Sequence, residues 1–102
     1  MEVSYYSAEG KMVEVRTTYV SGLGQVAGRG GDIIKLDTPT LASLVQTLVS
    51  KYDKPFGEAL IDPITRDLQP EVVVLINGSN SLLDAELKDG DEIIFLTMPV
   101  GG

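Results

Sequence analysis

A chain of 102 residues, 43% hydrophobic and 23% charged, has the material for one globular domain with a single modest core. Its formal net charge of −7 argues against nucleic acid or an anionic membrane surface as partner and suits a protein with a basic docking face. The lack of Cys and His removes disulfides, thiolate metal sites, thiol nucleophiles and the commonest general base, which argues against a hydrolase triad and a zinc site.

Residues 1–11 read as an N-terminal extension: Val3, Tyr5 and Tyr6 suit either a short extra strand or a loose segment, with a turn at Glu9-Gly10. This polar, acidic start is not a signal peptide, and no apolar run is long enough to span a bilayer. A cytoplasmic address is the expectation. From Met12 to Val20 the pattern alternates, placing Val13, Val15, Thr17 and Tyr19 on one face and Glu14, Arg16 and Thr18 on the other, which predicts a strand. Ser21–Gly28 reads as a compact turn with room for one helical turn, and Arg29-Gly30-Gly31 as a plain loop, since it lacks the strand-to-helix setting and lysine of a phosphate-binding loop. Asp32–Leu36 is a second strand with Ile33 and Ile34 as its apolar body, paired with the first as a hairpin.

Thr40 is placed to cap the one clear helix. Leu41, Leu44, Val45, Leu48, Val49 and Tyr52 recur at i, i+3, i+4, i+7, i+8, i+11, a stripe wide enough to cover a sheet. Pro55 marks its stop, and Phe56–Pro70 reads as irregular, with Leu60 and Ile61 tucking a short segment under the domain. The run Val72–Ile76 predicts a strand buried on both sides. Asn77-Gly78 and Lys88-Asp89-Gly90-Asp91 are turns, and Glu92–Met98 is the last strand. Strand, strand, helix, strand, strand predicts an α+β domain, a mixed sheet of about four to five strands packed on one main helix. Asp84, Glu86, Asp89 and Asp91 are explained by turn chemistry and solubility rather than by a metal.

The candidate working group is the C-terminal carboxylate of Gly102, preceded by Gly101. A carboxylate is a poor electrophile and must become an acyl-adenylate before it can carry sulfur or acylate an amine. An activating enzyme has to hold it against ATP in a narrow channel, and two glycines let the main chain thread such a channel. Pro99 stiffens the stalk before them. Ile93 and Phe95 should face the helix, leaving Ile94, Leu96 and Met98 on the opposite face, where with Pro99 and Val100 they form a candidate binding surface leading into the tail.

Leu87-Lys88-Asp89-Gly90-Asp91-Glu92-Ile93-Ile94-Phe95-Leu96, followed by Pro99-Val100-Gly101-Gly102, resembles the MoaD/ThiS family of ubiquitin-like sulfur carriers, as does Val74-Leu75-Ile76-Asn77-Gly78. Arg16–Gly28 and Thr40–Leu48 are similar to the family's first strand with its turn and to its capped helix start. The resemblance covers Met12–Gly102 and implies a β-grasp domain over residues 12–96 with a flexible tail over 97–102. It also implies conversion of the terminal carboxylate to a thiocarboxylate by an E1-like adenylating enzyme that consumes ATP, with no permanently bound cofactor. A downstream sulfur acceptor, such as the large subunit of a molybdopterin synthase, would follow in molybdopterin or tungstopterin cofactor biosynthesis. The tail departs from the molybdopterin-type Pro-Pro-Val-x-Gly-Gly, since Val100 adjoins Gly101 directly, whereas the long Lys54–Glu71 segment leans toward the MoaD branch. Two alternatives stay open: a ubiquitin-like modifier joined through Gly102 to target lysines, and a β-grasp binding module with an incidental tail.

Overall fold

The computed structural model describes residues 12–98. The elements in chain order are β1 (Val13–Tyr19), α1 (Gly22–Ala27), β2 (Gly31–Leu36), α2 (Leu41–Lys51), α3 (Lys54–Leu60), β3 (Val72–Ile76), β4 (Ser79–Asn80) and β5 (Glu92–Thr97). They build one five-stranded sheet in the order β2-β1-β5-β3-β4. β1 and β5 run parallel, and the other neighbours are antiparallel. The last strand therefore lies at the centre, and the α2 stripe crosses one face of the sheet.

The core follows from the two periodicities. Val15, Thr17 and Tyr19 of β1 are buried while Glu14, Arg16 and Thr18 are exposed. Leu41, Leu44, Val45 and Leu48 of α2 are buried, and Val49 and Tyr52 pack at the edge of the same stripe. Thr40 caps α2 as expected, its hydroxyl accepting from the Ser43 amide at 3.1 Å. Ile93 and Phe95 of β5 are fully buried beneath the helix.

Ser21–Gly28 has the helical winding it had room for: it forms α1, closed by Gly28 in the left-handed conformation at φ 73°. Three local expectations are corrected. The region after Pro55 is not irregular throughout: Lys54–Leu60 forms α3, with Pro55 in its first turn, where the missing amide costs nothing. Phe56 and Leu60, one turn apart, are both fully buried, and Gly57 lets α3 approach Val49 of α2 so closely that an added Cβ would lie 3.3 Å from its Cγ1. Leu60 thus does sit under the domain. Val72–Ile76 is covered on one face only, with Val72 and Val74 buried and Val73 and Leu75 partly exposed. Ile33 is not core but 61% exposed, and only Ile34 and Leu36 of β2 point inward.

The Asn77-Gly78 turn has φ of 50° and 88° and reverses the chain from β3 into the two-residue β4, which was not foreseen. It is locked to the next turn. The Asn77 side-chain amide donates to Asp91 at 2.8 Å, the Glu92 amide donates to the Asn77 side-chain oxygen at 3.0 Å, and the Lys88 amide donates to Asp91 at 2.8 Å. The Glu14 amide donates to Asp89 at 2.8 Å. Asp89 and Asp91 are therefore consumed by backbone capping, and among the described residues no cluster of three or more carboxylates has the geometry of a cation site.

All four aromatic side chains of the described residues meet at one end of the core, Tyr19 lying 5.6 Å from Phe56 and Tyr52 4.8 Å from Phe56, ring centre to ring centre. Beside them the Asp32 carboxylate, 6% exposed, accepts from the hydroxyls of Tyr19, at 2.8 Å, and Tyr52. Burial first, and then the neighbouring Asp32 charge, pushes the Tyr19 phenol well above its ordinary range, and Tyr52 shifts the same way. A raised acid holds its proton in the folded state when the unfolded chain has already released it. This contribution is constant below pH ~10, the ordinary tyrosine value, and is lost as pH climbs above it. Chemical denaturation from pH 8 to 11 is expected to show stability falling above pH ~10, with a smaller fall in Tyr19→Phe.

Candidate functional site: the open sheet face and the chain exit

The face of the sheet away from the helices is where the candidate binding residues lie. The register sets Leu75 opposite Ile94 and Val73 opposite Leu96, with Thr18 on the other flank of Ile94. Val20, whose amide donates to the Phe95 carbonyl at 2.9 Å, continues the outward parity of β1 beside Leu96. Ile94 and Leu96 are half-buried by these neighbours, and Val20 and Met98 are exposed. The result is a continuous apolar strip over three strands, bordered toward the opposite end of the sheet by Arg16 and Glu92. Sequence reasoning reached Ile94, Leu96 and Met98 but missed Val20, Val73 and Leu75. It read Val72–Ile76 as doubly buried, and a continuous apolar run cannot by itself say which of its faces is covered. The cross-strand register carries that information.

At the end of β5 the Met98 amide donates to the Glu71 carbonyl at 2.8 Å, so strand pairing persists to Met98. Met98 also lines an open groove of about 840 Å³, whose other walls include Gly22, Val26, Ala59 and Pro70. Among the described residues its walls are mainly aliphatic, with Glu71 as the one ionisable side chain. Ser21 at its rim has φ 62° and ψ −139°, a conformation that costs a non-glycine residue ~1–3 kcal/mol. Pro99, Val100, Gly101 and Gly102 lie outside the described residues, as does the proposed extension over residues 1–11. Among the described residues no helix is long and apolar enough to cross a membrane.

A mixed sheet with a central C-terminal strand parallel to the first, and one main helix packed across it, defines the ubiquitin-like β-grasp class. Comparison with solved structures agrees. Small archaeal modifier protein 1 from Methanosarcina acetivorans superposes with a TM-score of 0.72 at 27% identity, covering 91% of this chain and 99% of that one. Urm1 from Trypanosoma brucei gives 0.70 at 26%, covering 89% and 97%. Molybdopterin converting factor subunit 1 from Pyrococcus furiosus gives 0.70 at 23%, covering 85% and 99%. No curated protein sequence matches. The ThiS family model matches residues 18–102, and the chain belongs to that family of ubiquitin-like sulfur carriers.

Proposed function

We propose that this chain carries sulfur as a thiocarboxylate on Gly102, in molybdopterin or tungstopterin cofactor biosynthesis. The observation that carries this reading is the place of β5: the central strand runs to Met98 beside a half-buried apolar face, and Pro99-Val100-Gly101-Gly102 follows in the sequence. An E1-like adenylating enzyme would dock on Leu96 and Ile94 and draw the tail into its nucleotide site. The Gly102 carboxylate attacks the α-phosphate of ATP, pyrophosphate leaves, and an acyl-adenylate forms. Sulfide then attacks the acyl carbon and AMP leaves, giving the thiocarboxylate. A downstream acceptor, of the kind represented by a molybdopterin synthase large subunit, takes the sulfur, and water attacks the acyl carbon as the C–S bond breaks, restoring the carboxylate. ATP is consumed by the partner and is not held by this chain.

Mass spectrometry of the protein isolated from its own cells tests the reading, with replacement of one oxygen by sulfur at the C-terminus as the expected result. The likeness to a small archaeal modifier protein favours a second reading, conjugation of Gly102 to lysines. That reading predicts isopeptide-linked Gly-Gly remnants on other proteins and no sulfur at the terminus. Docking has its own test. Leu96→Glu places a charge in the middle of the apolar strip, and a central interface residue typically carries ~2 kcal/mol. The KM of the activating enzyme for the carrier is expected to rise by roughly thirty-fold with kcat and the thermal melt little changed.

A further inference from the structure

The Asn77-Gly78 turn is chemically labile as well as tight. A glycine amide has no side chain beside it to hinder an approach, so its nitrogen reaches the side-chain carbonyl of a preceding asparagine more easily than the amide of any other residue would. Of the two asparagines in the chain, Asn77 precedes glycine and Asn80 precedes Ser81. Asn77 and Gly78 are both exposed, so water reaches the turn.

The fold ties this asparagine to the entry of β5 by three hydrogen bonds. Its main-chain amide donates to the Glu92 carbonyl at 2.8 Å, its side-chain nitrogen donates to the Asp91 carboxylate at 2.8 Å, and its side-chain oxygen accepts from the Glu92 amide at 3.0 Å. Asp91 is itself buried and fixed, its second oxygen accepting from the Lys88 amide at 2.8 Å. Closing a five-membered ring onto the Gly78 nitrogen requires rotation about the Asn77 Cα–Cβ bond. The two side-chain ties resist that rotation, and the paired positive φ angles of 50° and 88° hold the main chain of the turn.

We propose that Asn77 is a self-modification site, kept latent by Asp91 and converted when that tie opens. The Gly78 main-chain nitrogen gives up its proton and bonds to Asn77 Cγ. The bond from Cγ to the side-chain nitrogen breaks, and that nitrogen leaves as ammonia with the proton. Water then opens the imide ring. Attack at one carbonyl gives aspartate; attack at the other gives isoaspartate, with one more methylene in the main chain. Water is the one reactant consumed. Aspartate at this position sets a carboxylate where the amide donor met Asp91, and two like charges at hydrogen-bond distance repel. The tie therefore does not re-form. The conversion is one-way, and it loosens the pair of turns that leads into the central strand.

The full chain is incubated in mildly alkaline buffer without ATP or any partner, and peptide mapping by mass spectrometry reads the gain of about one dalton at Asn77. Asp91→Asn keeps the shape of residue 91 and an oxygen for the Lys88 amide, but it turns an N–H donor toward the Asn77 amide and so opens the tie. The folded wild-type chain is expected to convert about tenfold more slowly than the chain unfolded in guanidinium chloride. Asp91→Asn is expected to convert about tenfold faster than the folded wild type, the worth of one hydrogen bond to a charged acceptor. Equal rates for the wild type and Asp91→Asn, equal rates for the folded and unfolded wild type, or earlier conversion of Asn80 would each overturn the proposal. A second readout holds even if Asp91→Asn alone fails to fold. Asn77→Asp is expected to lower the thermal melt, and the double variant Asn77→Asp with Asp91→Asn to recover it, because donor and acceptor then face each other in exchanged order. No recovery in the double variant would show that Asp91 does not hold this side chain, and the proposal would fall.

Discussion

Removal of Gly101 and Gly102 is expected to abolish acyl-adenylate formation while leaving the thermal melt of the domain unchanged. Among the described residues the last fully buried side chain is Phe95, and the last strand-pairing hydrogen bond of the sheet is made by the Met98 amide, so the core formed within residues 12–98 uses neither glycine. The shortened chain would end in Val100, whose branched side chain cannot follow a main chain through a channel shaped for glycine, and whose carboxylate falls two residues short. Pyrophosphate exchange with a cognate activating enzyme measures the first effect and circular dichroism the second. Normal exchange by the truncated chain would remove the proposed chemistry, and a collapsed melt would show that the tail helps to hold the fold.

Leu44→Asp is expected to do the reverse. Leu44 is fully buried in the middle of the α2 stripe, between Leu41 and Leu48. The substitution forfeits ~2–5 kcal/mol of packing and leaves a carboxylate without a partner in an apolar core, a further cost of several kcal/mol. A domain of this size has only ~5–15 kcal/mol to lose. No cooperative melt should remain at neutral pH. A melt displaced by only a few degrees would mean that α2 does not pack across the sheet as described.

β1, the main helix and the inward face of β5 were legible because each rests on a local pattern. The alternation Val13-Val15-Thr17-Tyr19, the stripe from Leu41 to Tyr52 and the pair Ile93-Phe95 state which side is buried before any partner is known. α3 was not legible, because Pro55 read as a stop when it sits in a helix's first turn, and the close helix packing at Gly57 shows only in the fold. Asp32 entered the sequence reading only as the first residue of the second strand. Its two tyrosine partners are 13 and 20 residues away in sequence, and only the fold brings them together. The same holds for Val20, Val73 and Leu75, which join the candidate site through register alone.

The central place of β5 bears on how the protein is made. β1 and β3 share no ladder; each waits for the strand synthesised last. A nascent chain interrupted before Phe95 has two strands with open edges and no common neighbour, and non-local pairing of this kind cannot begin early. Such fragments are expected to stay unfolded and be cleared by proteases. Premature termination therefore removes the whole molecule instead of releasing a folded decoy, which would compete for docking surfaces with nothing to deliver.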